Sequence, residues 1–110
     1  MILSTMEQPA GYRVVRHLGL VQGSTVRSKH LGRDIMAGLK EMVGGELRGY
    51  TELLNEARDE ATQRLRAAAD ELGANAIISI RYSTANIGSG AAEVLAYGTA
   101  VELAEEPAAS

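Results

Sequence analysis

Four segments of the chain have the apolar, alternating character of β-strands. They are residues 1–5, 12–21, 75–83 and 93–103. Residues 22–29, directly after the second segment, are mostly polar and contain Gly23 and Ser24, so we predict a turn there. Strict alternation within residues 12–21 would put Leu18 and Leu20 on one face of the strand, and His17 and Val21 on the other.

Two further segments repeat apolar residues every three or four positions, which is the period of an α-helix. The first spans residues 31–43 and ends at Gly44-Gly45, since glycine readily reverses the chain after a last helical turn. The second spans residues 50–72 and is followed by Gly73; its length would be roughly 33 Å. The predicted fold class is α+β, a small and mostly antiparallel sheet with two helices, one of them long, packed on it.

The apolar faces predicted for these elements do not all find partners within one chain. The long helix has small side chains, Ala57 and Ala61, in the middle of its apolar face. We therefore predict that it packs against the bulky face of the last strand, which is formed by Leu95, Tyr97 and Val101. The strands are apolar on their other face as well, whereas an antiparallel sheet with one solvated face alternates cleanly. The first helix would cover only part of that second face. We therefore expect other copies of the chain to cover the rest, which makes the protein a homo-oligomer.

Length, charge and composition narrow the class of protein. A chain of 110 residues forms one domain, predicted over residues 1–104, with a flexible tail at 105–110. The absence of cysteine excludes disulfides, thiolate metal sites and cysteine nucleophiles. The net charge is −3 and no block of lysine or arginine is present, so we expect no nucleic-acid partner. No apolar run is long enough for a membrane span and no signal peptide is recognisable, so we expect a cytoplasmic protein without a membrane partner.

Four polar residues close to the apolar stripes are candidates for ligand binding: Arg33, Asp34, Tyr50 and Arg58. Arg58 could bind an anion, although an ion pair or a capping contact between helices or subunits is the favoured interpretation. Tyr50 could contact a ligand or hold the second helix against the first. An enzyme with an active site built from these residues at a subunit interface is an alternative function, and a pure protein-interaction scaffold is another. No catalytic residue is predicted, because no nucleophile motif or phosphate-binding loop is present.

One pair of residues has the spacing of metal ligands. His30 and Asp34 lie four positions apart, which would place both on one face of a helix. A solvated helix start is the more common explanation of such a pair, and we favour it. The sequence leaves the cofactor unknown, and a divalent metal is one option that this pair offers. With two histidines and no cysteine, the composition gives even that cofactor little support.

Several short motifs occur in an order that resembles a known family. They are GLVQG at 19–23, RDIMAG at 33–38, VGG at 43–45, LGANAI at 72–77 and GTAV at 98–101. Together they resemble the YbjQ family of small bacterial proteins, which carries a heavy-metal-binding label and lends no established catalytic residues. The resemblance implies an α+β subunit, similar to dodecin-type subunits, that assembles into a ring, with pentamers expected. This sequence departs from the family pattern at Asn75, where aspartate is more usual. The missing carboxylate weakens any metal-binding role for that turn.

Overall fold

The computed structural model describes residues 1–28, 45–88 and 90–107. Within these ranges a four-stranded mixed sheet carries one long helix. The elements are β1 (Ile2–Leu3), β2 (Tyr12–Ser28), α1 (Gly45–Glu71), β3 (Ala76–Asn86) and β4 (Ala91–Glu105). The helix predicted for residues 31–43 lies outside the described residues. The α+β class is confirmed.

The sheet is long and thin. Its strand order is β1-β3-β4-β2, with β1 parallel to β3 and the other neighbours antiparallel. The overall extents are 61 × 29 × 16 Å. A strand of 17 residues is about 56 Å long, so β2 accounts for most of the long dimension. A thickness of 16 Å leaves room for one helix on one sheet.

The turn predicted for residues 22–29 is wrong over its described part, residues 22–28, because β2 continues through them. Gln22 pairs with Tyr97, and the ladder with β4 continues without a break to Ser28 and Ala91. The helix α1 also begins earlier than predicted, at Gly45. Gly73 ends it as predicted, with a φ of 78°. Polar composition suggested a turn at 22–29, but pairing along the full length of β4 overrides that local preference.

Two β-bulges in β2 change which side chains share a face. The register with β4 shifts between Val14 and Arg16 and again between His17 and Gly19. Each bulge inserts one residue and so reverses the alternation beyond it. As a result Leu18 and Val21 both contact the core beneath the helix, whereas Leu20 is 74% exposed on the other face. The predicted grouping of Leu18 with Leu20 is therefore wrong.

The main core lies between α1 and the small-residue face of β4. From the helix it contains Ala57, Ala61, Leu65 and Ala69; from the sheet it contains Val21, Ile77, Ile80, Val94, Ala96 and Ala100. The prediction that the helix packs on Leu95, Tyr97 and Val101 is wrong. Small side chains on both surfaces let the helix approach the strands closely. A Cβ on Gly23 would overlap the backbone of α1 at Ala61, Arg64 and Leu65.

The opposite face of the sheet, here called the back face, has a second and smaller core. Ala76, Ile78, Val101 and Leu103 are buried there, with Ile2, Tyr12 and Val14 packed against them. No helix among the described residues covers this face. Leu20, Val26 and Tyr97 remain 74%, 59% and 38% exposed. The described part of the chain therefore does not shelter its own back face.

The side chain of Asn75 extends the pairing between β3 and β4. Its Nδ2 donates to the carbonyl oxygen of Leu103 at 2.9 Å, and the amide of Leu103 donates to its Oδ1 at 2.7 Å. The carboxamide thus takes the place of a backbone peptide group, with one donor and one acceptor in use. A carboxylate at this position would keep the acceptor and lose the donor.

Candidate functional site

The structure does not bring the predicted ligand-binding residues together. Tyr50 and Arg58 both lie on α1, eight positions apart, so their Cα atoms differ by about 12 Å along the axis and by about 80° around it. Arg58 is exposed, and its Nε donates to the carbonyl oxygen of Leu54 at 3.4 Å. The other predicted residues, Arg33 and Asp34 with the metal candidate His30, lie outside the described residues.

A charged cluster joins α1 to β2. Arg27 Nε donates to the carboxylate of Glu60 at 3.0 Å, and Arg27 also pairs with Glu56 at 3.3 Å. Arg64 pairs with Glu60, four positions earlier on the helix, and donates to the carbonyl oxygen of Ser24. The hydrogen bond from Arg27 holds the pKa of Glu60 below its ordinary value, with smaller contributions from Thr25 and Arg64.

These ion pairs leave the cluster with little capacity for a ligand. It borders a depression of about 370 Å³ lined by Arg27, Glu56, Asp59, Glu60 and Gln63. Arg27, the one guanidinium that lines this depression, already pairs with Glu56 and Glu60, so the best-supported role of the cluster is to fasten the helix to the strand. The sequence does not reveal the role of Arg27, because the polar composition of residues 22–29 predicts a turn there.

A second depression lies on the back face and is here called the His17 cleft. Its volume is about 460 Å³. Five polar and two apolar residues line it: Glu7, Gln8, His17, Ser79 and Thr99, with Val14 and Ile78. Strand register explains the grouping, since His17 pairs with Val101, and Thr99 pairs with Ile78, on the same face of the sheet.

The polar groups of the His17 cleft are available to a ligand. Within the described ranges, no other side chain or backbone group bonds to the side chains of His17, Ser79 or Thr99. The sequence pattern predicts a strand at His17 and does not single out the other lining residues. The one local signal was Ser79, a hydroxyl residue that interrupts the apolar run of Ile77, Ile78 and Ile80.

The described residues do not fit a resident heavy metal. In the ranges 1–28, 45–88 and 90–107, no group of three or more histidine, aspartate or glutamate side chains could hold one ion. The His17 cleft contributes two such side chains, His17 and Glu7, and the cluster at Glu60 is occupied by arginine. Structural metal sites use about four protein ligands and catalytic sites about three. The prediction for His30 and Asp34 stays a prediction.

Comparison with known proteins identifies the family. Residues 1–104 match the model of the YbjQ family, whose description is "Putative heavy-metal-binding". The chain belongs to the YbjQ family. A UPF0145 protein of Hahella chejuensis is 59% identical over 101 residues, which cover 92% of this chain and 97% of that protein. A UPF0145 protein of Thermus thermophilus is 56% identical over 108 residues, covering 98% of this chain and 93% of its own length.

A solved structure supports the fold. The crystal structure of a protein of unknown function from Pediococcus pentosaceus, assigned to the DUF74 family, superposes with a TM-score of 0.63. The match covers 94% of this chain and 98% of that one, at 21% sequence identity. Among the described residues of the YbjQ-family chain, no helix is long and apolar enough to cross a membrane.

Proposed function

We propose that this YbjQ-family protein is a homo-oligomeric binding protein of the cytoplasm, assembled as a ring of five dodecin-like subunits, and not an enzyme. The observation that carries the proposal is the back face, where Leu20, Val26 and Tyr97 are exposed. A helix over residues 31–43 would be about 20 Å long, whereas β2 is about 56 Å long. Such a helix is too short to cover the face, and neighbouring copies supply the remainder.

The strand edges favour a ring over a two-fold dimer. β2 forms one edge of the sheet, and β1 covers only the start of β3 at the other edge. The outer edges of β2 and of residues 81–86 have no neighbouring strand among the described residues. Pairing of one edge with the different edge of the next copy is a head-to-tail contact, which closes into a ring when the rotation permits.

Assembly is tested by the mass of the protein in solution. Light scattering after gel filtration at micromolar concentration is expected to give five copies of the 11.7 kDa chain, about 58.5 kDa. Leu20→Glu places a charge on the back face and is expected to release single chains. The control is Leu72→Glu, which charges an exposed leucine after the end of α1 and should leave the mass unchanged. A folded wild-type monomer would contradict the proposal.

The ligand of the ring is proposed to bind between subunits, where Arg33, Asp34, Tyr50 and Arg58 come from different copies. Within one chain, the helix fixes Tyr50 and Arg58 about 12 Å apart along its axis. Tyr50 of one copy and Arg58 of its neighbour are not held apart in this way, which supports a site between subunits. Calorimetric titration with Zn²⁺, Ni²⁺ and Cu²⁺ separates a metal from an organic ligand. Heat that disappears in His30→Ala would support a metal at the boundary, and no heat with any of the ions would exclude these metals.

A further inference from the structure

The His17 cleft has a fixed shape because hydrogen bonds hold its outer wall to β3. The wall is the loop after β1. Ser79 N donates to Met6 O at 3.1 Å, and Ile80 N donates to Ser4 O at 3.1 Å. Arg81 Nη1 donates to Thr5 O at 2.8 Å. The backbone directly before Glu7 and Gln8 is therefore tied to β3 before any ligand arrives, which reduces the entropy lost on binding.

The backbone at Ser79 is strained at the cleft. Its φ is 55°, and no other non-glycine residue in the described ranges has a positive φ. It lies in the bulge of β3 between Ile78 and Arg81. Glycine would adopt this conformation at lower cost, so the backbone alone does not explain a serine here. Strain of this kind is concentrated at functional sites. The property that serine adds over glycine is a hydroxyl group, and Ser79 is one of the residues that line the cleft.

The charges around the cleft select the class of ligand. Glu7 is the one carboxylate among the lining residues, and neither lysine nor arginine lines the described cleft. The hydroxyls of Ser79 and Thr99 and the imidazole of His17 can each accept a hydrogen bond. Val14 and Ile78 supply apolar surface for a short carbon chain. Among the lining residues an anion would meet a carboxylate and no cation, whereas an ammonium group would be stabilised by that carboxylate.

We propose that the His17 cleft binds a small organic amine, with its ammonium group on Glu7 and its carbon chain on Val14 and Ile78. Neighbouring polar groups of the ligand bond to Ser79, Thr99 and His17. The volume of about 460 Å³ lies within the usual range for small-molecule sites. All these residues come from one chain, so no residue of a neighbouring copy is needed to complete the site.

The first test is titration of the ¹⁵N-labelled protein with ethanolamine and putrescine, and with acetate and inorganic phosphate as anions. Saturable shifts of the amides of His17, Ser79 and Thr99 are expected with the amines only. Glu7→Gln is expected to weaken amine binding roughly tenfold, since the lost interaction is a charge-assisted hydrogen bond. The matched control, Glu52→Gln, changes an exposed carboxylate on α1, on the other side of the sheet, and should not alter the affinity. Equal binding of anions, or no saturable shift with either amine, overturns the proposal.

The second test separates binding from folding. Ser79→Gly removes the hydroxyl and relieves the backbone strain together. We expect this variant to unfold at a higher temperature than the wild-type protein and to bind the amine several-fold more weakly. Higher stability with unchanged affinity would show that the serine hydroxyl does not contact the ligand. Loss of stability would show that the serine is required by the backbone, and it would remove the argument from strain.

Discussion

Replacement of Gly23 by alanine tests how closely the helix and the sheet approach each other. Gly23 lies in the middle of β2, and its φ is not in the left-handed region that would demand glycine. The requirement is one of space. A Cβ would lie 2.9 Å from the carbonyl carbon of Arg64 and still nearer to Ala61 O and Leu65 N. These are backbone atoms, so no side-chain rotation can relieve the overlap.

The cost arises from moving the helix. Carbon atoms pack at about 3.5–4.0 Å, so α1 would have to withdraw by roughly 0.5–1 Å, a gap that loses a quarter to a half of the attraction at each affected contact. Overpacking of this kind costs about 1–3 kcal/mol. A gain of about 0.4–1 kcal/mol from the less flexible unfolded chain offsets part of it. We expect Gly23→Ala to be destabilised by about 2 kcal/mol.

Thermal unfolding followed by circular dichroism at one fixed protein concentration measures this effect. A loss of about 2 kcal/mol lowers Tm by about 8–16 °C in a domain of this size. Ser24→Ala is the matched control, because it alters the next residue of the same strand on the opposite, exposed face and should cost less than about 0.5 kcal/mol. If the two variants melt within a few degrees of each other, the close contact between α1 and β2 does not exist.

Three further changes test other contacts. Asn75→Asp should cost about 1 kcal/mol in urea unfolding at pH 7, because the carbonyl oxygen of Leu103 loses its donor; Asn75→Gln is the control that keeps the amide. The lowered pKa of Glu60 means that its stabilisation is present above the ordinary value of 4.5 and is lost as the pH falls through the folded value. The urea midpoints of wild type and Glu60→Gln should therefore converge below pH 4.5, and a constant difference would contradict the pairing with Arg27. Tyr82→Phe removes the bond between its hydroxyl and that of Thr62, at 2.7 Å, and should cost about 0.5–1 kcal/mol in the same assay.

Elements with a strong local period were predictable from the sequence. The apolar repeat of α1 and its end at Gly73 depend on residues that are neighbours along the chain, and the structure agrees with both. The strands β3 and β4 were found for the same reason, although β3 begins one residue and ends three residues later than predicted, and β4 extends two residues beyond each predicted end. Boundaries were less accurate because pairing with a neighbouring strand continues a ladder into segments with weak β-propensity, such as residues 22–28.

The side of the sheet on which the helix lies could not be predicted in the same way. Large residues opposite small ones would have filled space equally well, and that rule pointed to Leu95 and Tyr97. The chain instead sets alanines of α1 against alanines and Gly23 of the sheet. The two bulges in β2 were equally hidden, since nothing in the alternation of residues 12–21 marks an inserted residue. The structure now explains both glycines of the GLVQG motif. Gly19 has a φ of 132°, and Gly23 lies against the backbone of α1.

The His17 cleft shows why candidate sites were harder to predict than elements. Its residues come from a loop, β2, β3 and β4, and they are as far apart as Glu7 and Thr99 in the sequence. Three bulges bring them together: one on each side of His17, and one at Ser79. A bulge is a departure from the regular pattern, and pattern analysis finds only what is regular. A polar residue inside an apolar strand, as Ser79 is, therefore predicts a bulge better than any repeat does, and in this sheet it also predicts the cleft.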